Sequence, residues 1–397
     1  MKAVKGILIA IAIIALAAFA TVLFMPVDGF VAEKAAKAAG YDVPEGYSDT
    51  EYRYYYNNLN NKQQLAYRII LAEISDFPKE IVIPVISENE LQEMFMALSY
   101  DNPEIFFLGN RCSMTSIGKI NNFVPQYLIT KEEYEEGMKK TFDACNDLLR
   151  EVKGASDYEK ELFLHDKLAE ICDYEDSNDP YIYTMYGTVV NHRANCEGYS
   201  RTMQYLLTRL GIENHLVIGE AQNAKDVFEG HMWNAVKIDG KWYNLDATWD
   251  DYILANGGGA TTNEASHAYF NISTEDLSVS HKVNPNYADS WKMCTNESKG
   301  YYKKNGTLIS DYGSSARQQI KSAVVKEINK GNSTLEIAFT DKDTFNKAHK
   351  ALVKDFEICD IYSSANYQLA HGKRIADNQV VYIADDTNLI IRLFLKK

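Results

Sequence analysis

Between positions 230 and 251 the chain reads GHMWNAVKIDGKWYNLDATWDD, two aromatic-rich runs on either side of Asp239-Gly240. Asp-Gly between such runs is the sequence of a two-residue hairpin turn, because both central positions of that turn need a positive φ. The turn fixes the register, so that Trp233 faces Asp246 and His231 faces Thr248. His231 and Asp246 then share one face as diagonal neighbours, with α-carbons about 7 to 8 Å apart and side chains within hydrogen-bonding reach. A carboxylate so placed holds one tautomer of the imidazole, stabilises its protonated form and leaves the other ring nitrogen for a third group.

The segment Asn195-Cys196-Glu197-Gly198-Tyr199 supplies that group. Tyr199, Met203, Leu206, Leu207 and Leu210 follow helical spacing, Asn195 is a natural N-cap, and Gly211 is placed to end the helix. Cys196 occupies the first helical position, where free backbone N–H groups and the helix dipole favour a thiolate. Taken singly, Cys196 reads as a core cysteine, His231 as a structural histidine and Asp246 as a turn residue. Jointly they compose a nucleophile, a base and its orienter. The other cysteines, Cys112, Cys145, Cys172, Cys294 and Cys359, show no disulfide framework and read as small buried hydrophobes. No CxxC pair or HExxH is present, so the pattern calls for no metal and no cofactor. His267 and His281 have no partner that the sequence identifies and read as structural.

Residues Gly6 to Met25 are twenty consecutive positions without a charge, preceded by Lys2 and Lys5. Twenty helical residues span roughly 30 Å, the thickness of a bilayer core. The two lysines favour an inside N-terminus, which places the rest of the chain outside the cytoplasm, tethered to the membrane. The rival is a cleaved signal peptide, for which Ala18-Phe19-Ala20 is an acceptable site, although its apolar region is usually 7 to 15 residues. With 41 Lys plus Arg against 55 Asp plus Glu, the net charge of −14 repels phosphate backbones and makes nucleic acid an unsuitable partner.

The pattern predicts an α+β protein in five stretches: a signal anchor or signal peptide over 1–26, a tether over 27–46, a small α/β unit over 47–129, a catalytic unit over 130–298 and a second α/β unit over 299–397. Helices are expected over 62–74 and 88–98, with a strand at 81–86 between them. Thr130 with Glu133, and Ser156 with Glu159, have the form of capping boxes opening two further helices. The acidic loop over 173–180 reads as a solvated connection, with cation binding as its alternative. In the last unit a hairpin is expected at Asn305-Gly306, then a helix over 314–329, a strand over 334–340, a helix over 343–354 and two closing strands.

NCEGYSRTMQYLLTRLGI at 195–212, the hairpin sequence at 230–251 and AYFNIS at 268–273 resemble the transglutaminase-like superfamily, a papain-related group whose members keep a Cys, His, Asp order with the Cys opening a helix. The resemblance covers about residues 156–295, and the flanks resemble exported bacterial members. It implies Cys196 as nucleophile, His231 as general base and acid, and Asp246 as the orienting carboxylate. The implied reaction is acyl transfer through a thioester on peptide or protein amides, including cell-envelope ones, with hydrolysis favoured over amine transfer. The Cys196 N–H is one oxyanion donor; for the other, Tyr186 is the candidate, with Tyr183 and Asn191 as alternatives. Trp233 and Trp249 are candidates for the walls of a substrate cleft or, equally, core aromatics of the hairpin. The competing class is a non-enzymatic surface module that uses the same fold as a scaffold.

Overall fold

Capping dictates where the helices begin. In the computed structural model, which describes residues 53–117, 120–222, 227–251, 265–285, 294–296 and 299–396, α1 (Asn61–Glu73) and α2 (Glu88–Asp101) open on capping boxes at Asn60 and Ser87. The boxes at Thr130 and Ser156 open α3 (Lys131–Glu151) and α4 (Asp157–Ile171), as their spacing predicts. The expected anchor and tether lie outside the described residues, among which no helix is long and apolar enough to cross a membrane.

The described chain from Tyr54 onward mixes helices and sheets, in keeping with an α+β class. β1 (Ile81–Ile83) joins the hairpin β2 (Leu108–Ile117) and β3 (Ile120–Tyr127) in the order β1-β3-β2. Its apolar core continues into Leu216 and Met232 of the central sheet and packs against half-buried Cys196. A short parallel pair, β4 (Asp173–Tyr174) with β5 (Arg193–Ala194), leads directly into α5 (Cys196–Arg209).

The central sheet is antiparallel, order β8-β7-β6-β9, from β6 (Asn214–Gln222), β7 (Phe228–Ile238), β8 (Lys241–Leu245) and β9 (His281–Val283). α5 lies on one face, where Tyr199, Met203, Leu206 and Leu207 meet Val236, Ile238 and Leu245. Trp233, Ala235 and Val217 are covered on the other face by Tyr269, Ile272 and Leu277. Gly219 of β6 sits opposite His231. A Cβ there would overlap the Lys282 carbonyl and press on the Trp233 ring, so glycine is what lets β9 approach.

The C-terminal sheet has the order β10-β11-β13-β12, from β10 (Leu308–Ile309), β11 (Thr334–Phe339), β12 (Tyr382–Asp385) and β13 (Ile390–Phe394). It packs with α6 (Ser314–Lys330), α7 (Lys342–His349) and α8 (Glu357–Asn366). The hairpin expected at Asn305-Gly306 is not formed. Gly306, at φ 73°, ends a short helix over Gly300–Asn305, and β10 pairs in parallel with β11. An αL glycine closes a helix as readily as it builds a turn.

Buried charges tie this unit to the rest. Glu336 of β11 accepts from the His267 backbone N–H (3.1 Å), His267 Nδ1 (3.1 Å), the Tyr302 hydroxyl (3.2 Å) and Arg392 Nη1 (3.3 Å). His267 Nε2 and His165 Nδ1 both meet Asp166 Oδ1 (2.9 and 3.0 Å), and His165 Nε2 meets Asp250 Oδ2 (3.2 Å). His267 and His281, for which the sequence identifies no partner, both have them: His267 here, in a structural role, and His281 in the site below.

Removing one member of a buried ion pair strands the other, at a cost of about 3 kcal/mol or more. Glu336→Ala should lower the unfolding free energy by about that amount in urea; a loss below about 1 kcal/mol would show that the cluster does not hold the units together.

Candidate functional site

α5 begins where the sequence places it. Asn195 Oδ1 accepts from the backbone N–H of Glu197 (3.1 Å) and of Gly198 (3.3 Å), leaving the Cys196 N–H as the unengaged donor of the first turn. Arg201 pins this turn, pairing with Glu197 (2.7 Å) and with the Ser99 hydroxyl (2.9 Å) and carbonyl of α2. All six cysteines are free, but their surroundings differ. Burial pushes Cys145, Cys172 and Cys294 up to about 12 and Cys112 up to about 11, so these thiols stay protonated. Cys196 is half-buried, at a helix start, and near enough to His231 to help raise that imidazole.

The hairpin has the expected register as far as Asn234↔Leu245, but the expected pairs Trp233–Asp246 and His231–Thr248 are not part of the ladder. Asp239 (φ 51°) and Gly240 (φ 76°) form the turn, and pairs run from Ile238↔Lys241 to Asn234↔Leu245. The chain then leaves the sheet, and Asp246 becomes the N-cap of a one-turn helix, its Oδ1 accepting from the N–H of Thr248 (3.0 Å) and Trp249 (3.1 Å). Its other oxygen, Oδ2, faces His231 Nε2 at 2.6 Å. With Nε2 donating to Asp246, Nδ1 is the ring nitrogen left for Cys196. Oδ2 also meets His281 Nε2 at 3.1 Å, and His281 Nδ1 meets the Ser280 hydroxyl at 2.8 Å.

Electrostatics follow from this packing. Burial works to lower the His231 pKa, but the charges of Asp246 and Cys196 and the hydrogen bonds to both outweigh it and hold the imidazolium up to about 10. Burial opposes ionisation of Asp246, yet His231 and the hydrogen bonds from both histidines hold its carboxyl well below the usual range. His281 is lowered, chiefly by burial, with Asp246 pulling the other way. The shift favours the neutral imidazole, and in the tautomer with Nε2 donating to Asp246 the Nδ1 atom accepts from the Ser280 hydroxyl.

The remaining expected residues fall differently. Trp233 is fully buried, its Nε1 donating to Asn244 Oδ1 (3.1 Å), so it forms the floor beneath His231 and not a cleft wall. It is buried because both faces of β7 are covered over Met232–Val236. Trp249 is half-buried, with its ring near those of His231 (6.1 Å) and His281 (4.6 Å). Tyr186 stacks on Phe106 (5.8 Å) and lies beside Tyr181 (5.1 Å). The tyrosine whose acidity responds to Cys196 is Tyr174 of β4, whose partner in register is Ala194 of β5, two residues before the cysteine. Burial, first, and then Cys196 push its phenol up to about 12, which keeps it a proton donor. Tyr183 lies near it, largely exposed, and Asn191 closes the π-turn over Gly187–Asn191.

Among the described residues two groups have ligand atoms close enough to hold a metal ion: His165, Asp166 and His267, and His231, Asp246 and His281. At 2.6 Å, His231 Nε2 and Asp246 Oδ2 are hydrogen-bonded, closer than the roughly 3.3 Å between two ligands of a tetrahedral zinc ion with bonds near 2.0 Å. In the first group each ligand atom is likewise turned to a partner within the protein.

A thiol at a helix start, an imidazole on the adjoining sheet and a carboxylate behind it thus occupy one region of the fold. Residues 146–247, a span that includes Cys196, His231 and Asp246, match the transglutaminase-like superfamily, so the chain carries a transglutaminase-like domain. Similar solved structures include a TGase (21% identity over 43% of this chain and 52% of that one, TM-score 0.23) and a proposed cysteine protease from Cytophaga hutchinsonii (12%, 37% and 64%, TM-score 0.24). A proposed protease from Parabacteroides distasonis is also similar (10%, 34% and 35%, TM-score 0.21). The chain thus spans about half the length of the first of these structures and less than two thirds of the others. No curated protein matches it.

The coupling of His231 to Asp246 has a pH signature. A raised imidazole stabilises the fold fully below its unfolded pKa of about 6.5 and loses that contribution as pH climbs toward 10; a depressed carboxyl contributes above about 3.9 and loses it on acidification. Asp246→Asn keeps an N-cap but removes the charge. The stability gap between wild type and Asp246→Asn should therefore peak between about pH 4 and 6.5 and shrink toward pH 10 in urea titrations. A gap independent of pH would contradict the ion pair.

Proposed function

We propose that the protein is a cysteine-dependent acyl-transfer enzyme acting on peptide or protein amides. The observation that carries this reading is the 2.6 Å pairing of His231 Nε2 with Asp246 Oδ2, with Cys196, at the first position of α5, near enough to help raise the imidazole. In this reading the Cys196 sulfur attacks the amide carbonyl, and the oxyanion is met by the Cys196 N–H and a second donor upstream. Tyr174, paired in register with Ala194 two residues before Cys196, is the candidate for that second role ahead of Tyr186, whose ring stacks on Phe106. His231, protonated at Nδ1, delivers its proton to the leaving amine, and the thioester is then attacked by water or by a second amine.

Hydrolysis is favoured, because water is the default acceptor and amine transfer requires its exclusion. The uncharged run Gly6–Met25 behind Lys2 and Lys5 supports an extracytoplasmic enzyme tethered at its N-terminus, with cell-envelope peptides or proteins within reach.

Mass spectrometry of a peptide library incubated with the protein and a primary amine tests this. Wild type should yield shortened peptides, and Cys196→Ala none, with its fold intact. Amine adducts would make the enzyme a transglutaminase, while no Cys196-dependent product would favour a binding module.

A further inference from the structure

We infer that His281 is a positioning residue of this site: through Asp246 it holds the carboxylate in the orientation and charge state that His231 and Cys196 require. The inference rests on the reading of Cys196 as nucleophile and adds a fourth side chain to it.

The geometry is specific. Asp246 Oδ1 is occupied by two backbone amides, and Oδ2 by two imidazoles, His231 at 2.6 Å and His281 at 3.1 Å. His281 is fully buried on β9 opposite Ala221, with its far nitrogen engaged by Ser280. The groups that face it are Asp246, His231, Ser280 and the rings of Trp233, Trp249 and Tyr269. Lys282, its neighbour on β9, lies over Phe228 instead. Held at both nitrogens, His281 is fixed against one lone pair of Oδ2, which leaves the other for His231. Without it a buried anion loses a charge-assisted hydrogen bond, and the carboxylate gains freedom to turn away from His231. Metal-ligating histidines are commonly oriented by carboxylates; here, with no metal involved, a histidine orients the carboxylate.

Cys196 alkylation by iodoacetamide, followed by mass spectrometry of the Cys196 peptide across pH 4 to 9 in the full chain, needs no knowledge of the substrate. His281→Asn carries its amide where Nδ1 stood, within reach of Ser280 but not of Asp246, whereas His281→Gln carries it where Nε2 stood. His281→Asn should slow alkylation about tenfold at neutral pH and move the acid side of the profile to higher pH, and His281→Gln should restore most of the rate. Both effects are read on folded protein, checked by circular dichroism. Equal rates in the two variants and wild type, with His231→Ala strongly slowed, would overturn the role of His281 and leave the nucleophile reading standing. Unchanged alkylation in His231→Ala would overturn both.

Discussion

The Asp246 carboxylate is the interaction on which the rest of the site depends. It is fully buried, so its charge is sustained only by what surrounds it: two amides of the helical turn that it caps and two imidazoles from β7 and β9. Burying such a charge without partners would be prohibitive. The same four donors that make the burial possible also fix the carboxylate's direction, and that direction sets which nitrogen of His231 is presented to Cys196. Stability and positioning are here a single requirement.

That requirement reaches into the C-terminal unit. The segment from Ser266 to Ser273 runs between the two: the Tyr269 carbonyl accepts from the Asp246 N–H (3.1 Å), its N–H donates to Asp250, and its hydroxyl accepts from Asn388 (3.2 Å). Two residues earlier, His267 is held by Glu336 on one nitrogen and Asp166 on the other, and is raised to about 10 because those charges outweigh burial. The backbone behind Asp246 is thus clamped from both sides. The C-terminal sheet carries no chemical motif of its own, but it supplies the buried charges that keep this segment in place.

How much of this was legible follows from the range of each signal. The His231–Asp246 dyad could be read because Asp239-Gly240 dictates a register, and the start of α5 because Asn195 and Cys196 are adjacent to the helix they open. Both are local. His281 was not legible: it lies 35 positions beyond Asp246 and reaches it only because β9 pairs with β6. Trp233 was ambiguous because a strand covered on both faces loses its period-two pattern. The proposed donor Tyr174 is brought near Cys196 by a two-residue parallel pairing too short to leave a signature. Asn305-Gly306 misled because an Asn-Gly pair closes a helix as well as a hairpin.

The central claim, that Cys196, His231 and Asp246 act as one unit, is tested most directly by nuclear magnetic resonance of protein labelled at its histidine side chains. The account predicts a His231 ring that remains protonated through neutral pH, titrates near 10, donates from Nε2 to Asp246 and shifts when Cys196 is alkylated. A His231 that titrates near its ordinary value of about 6.5 and is indifferent to alkylation of Cys196 would contradict it.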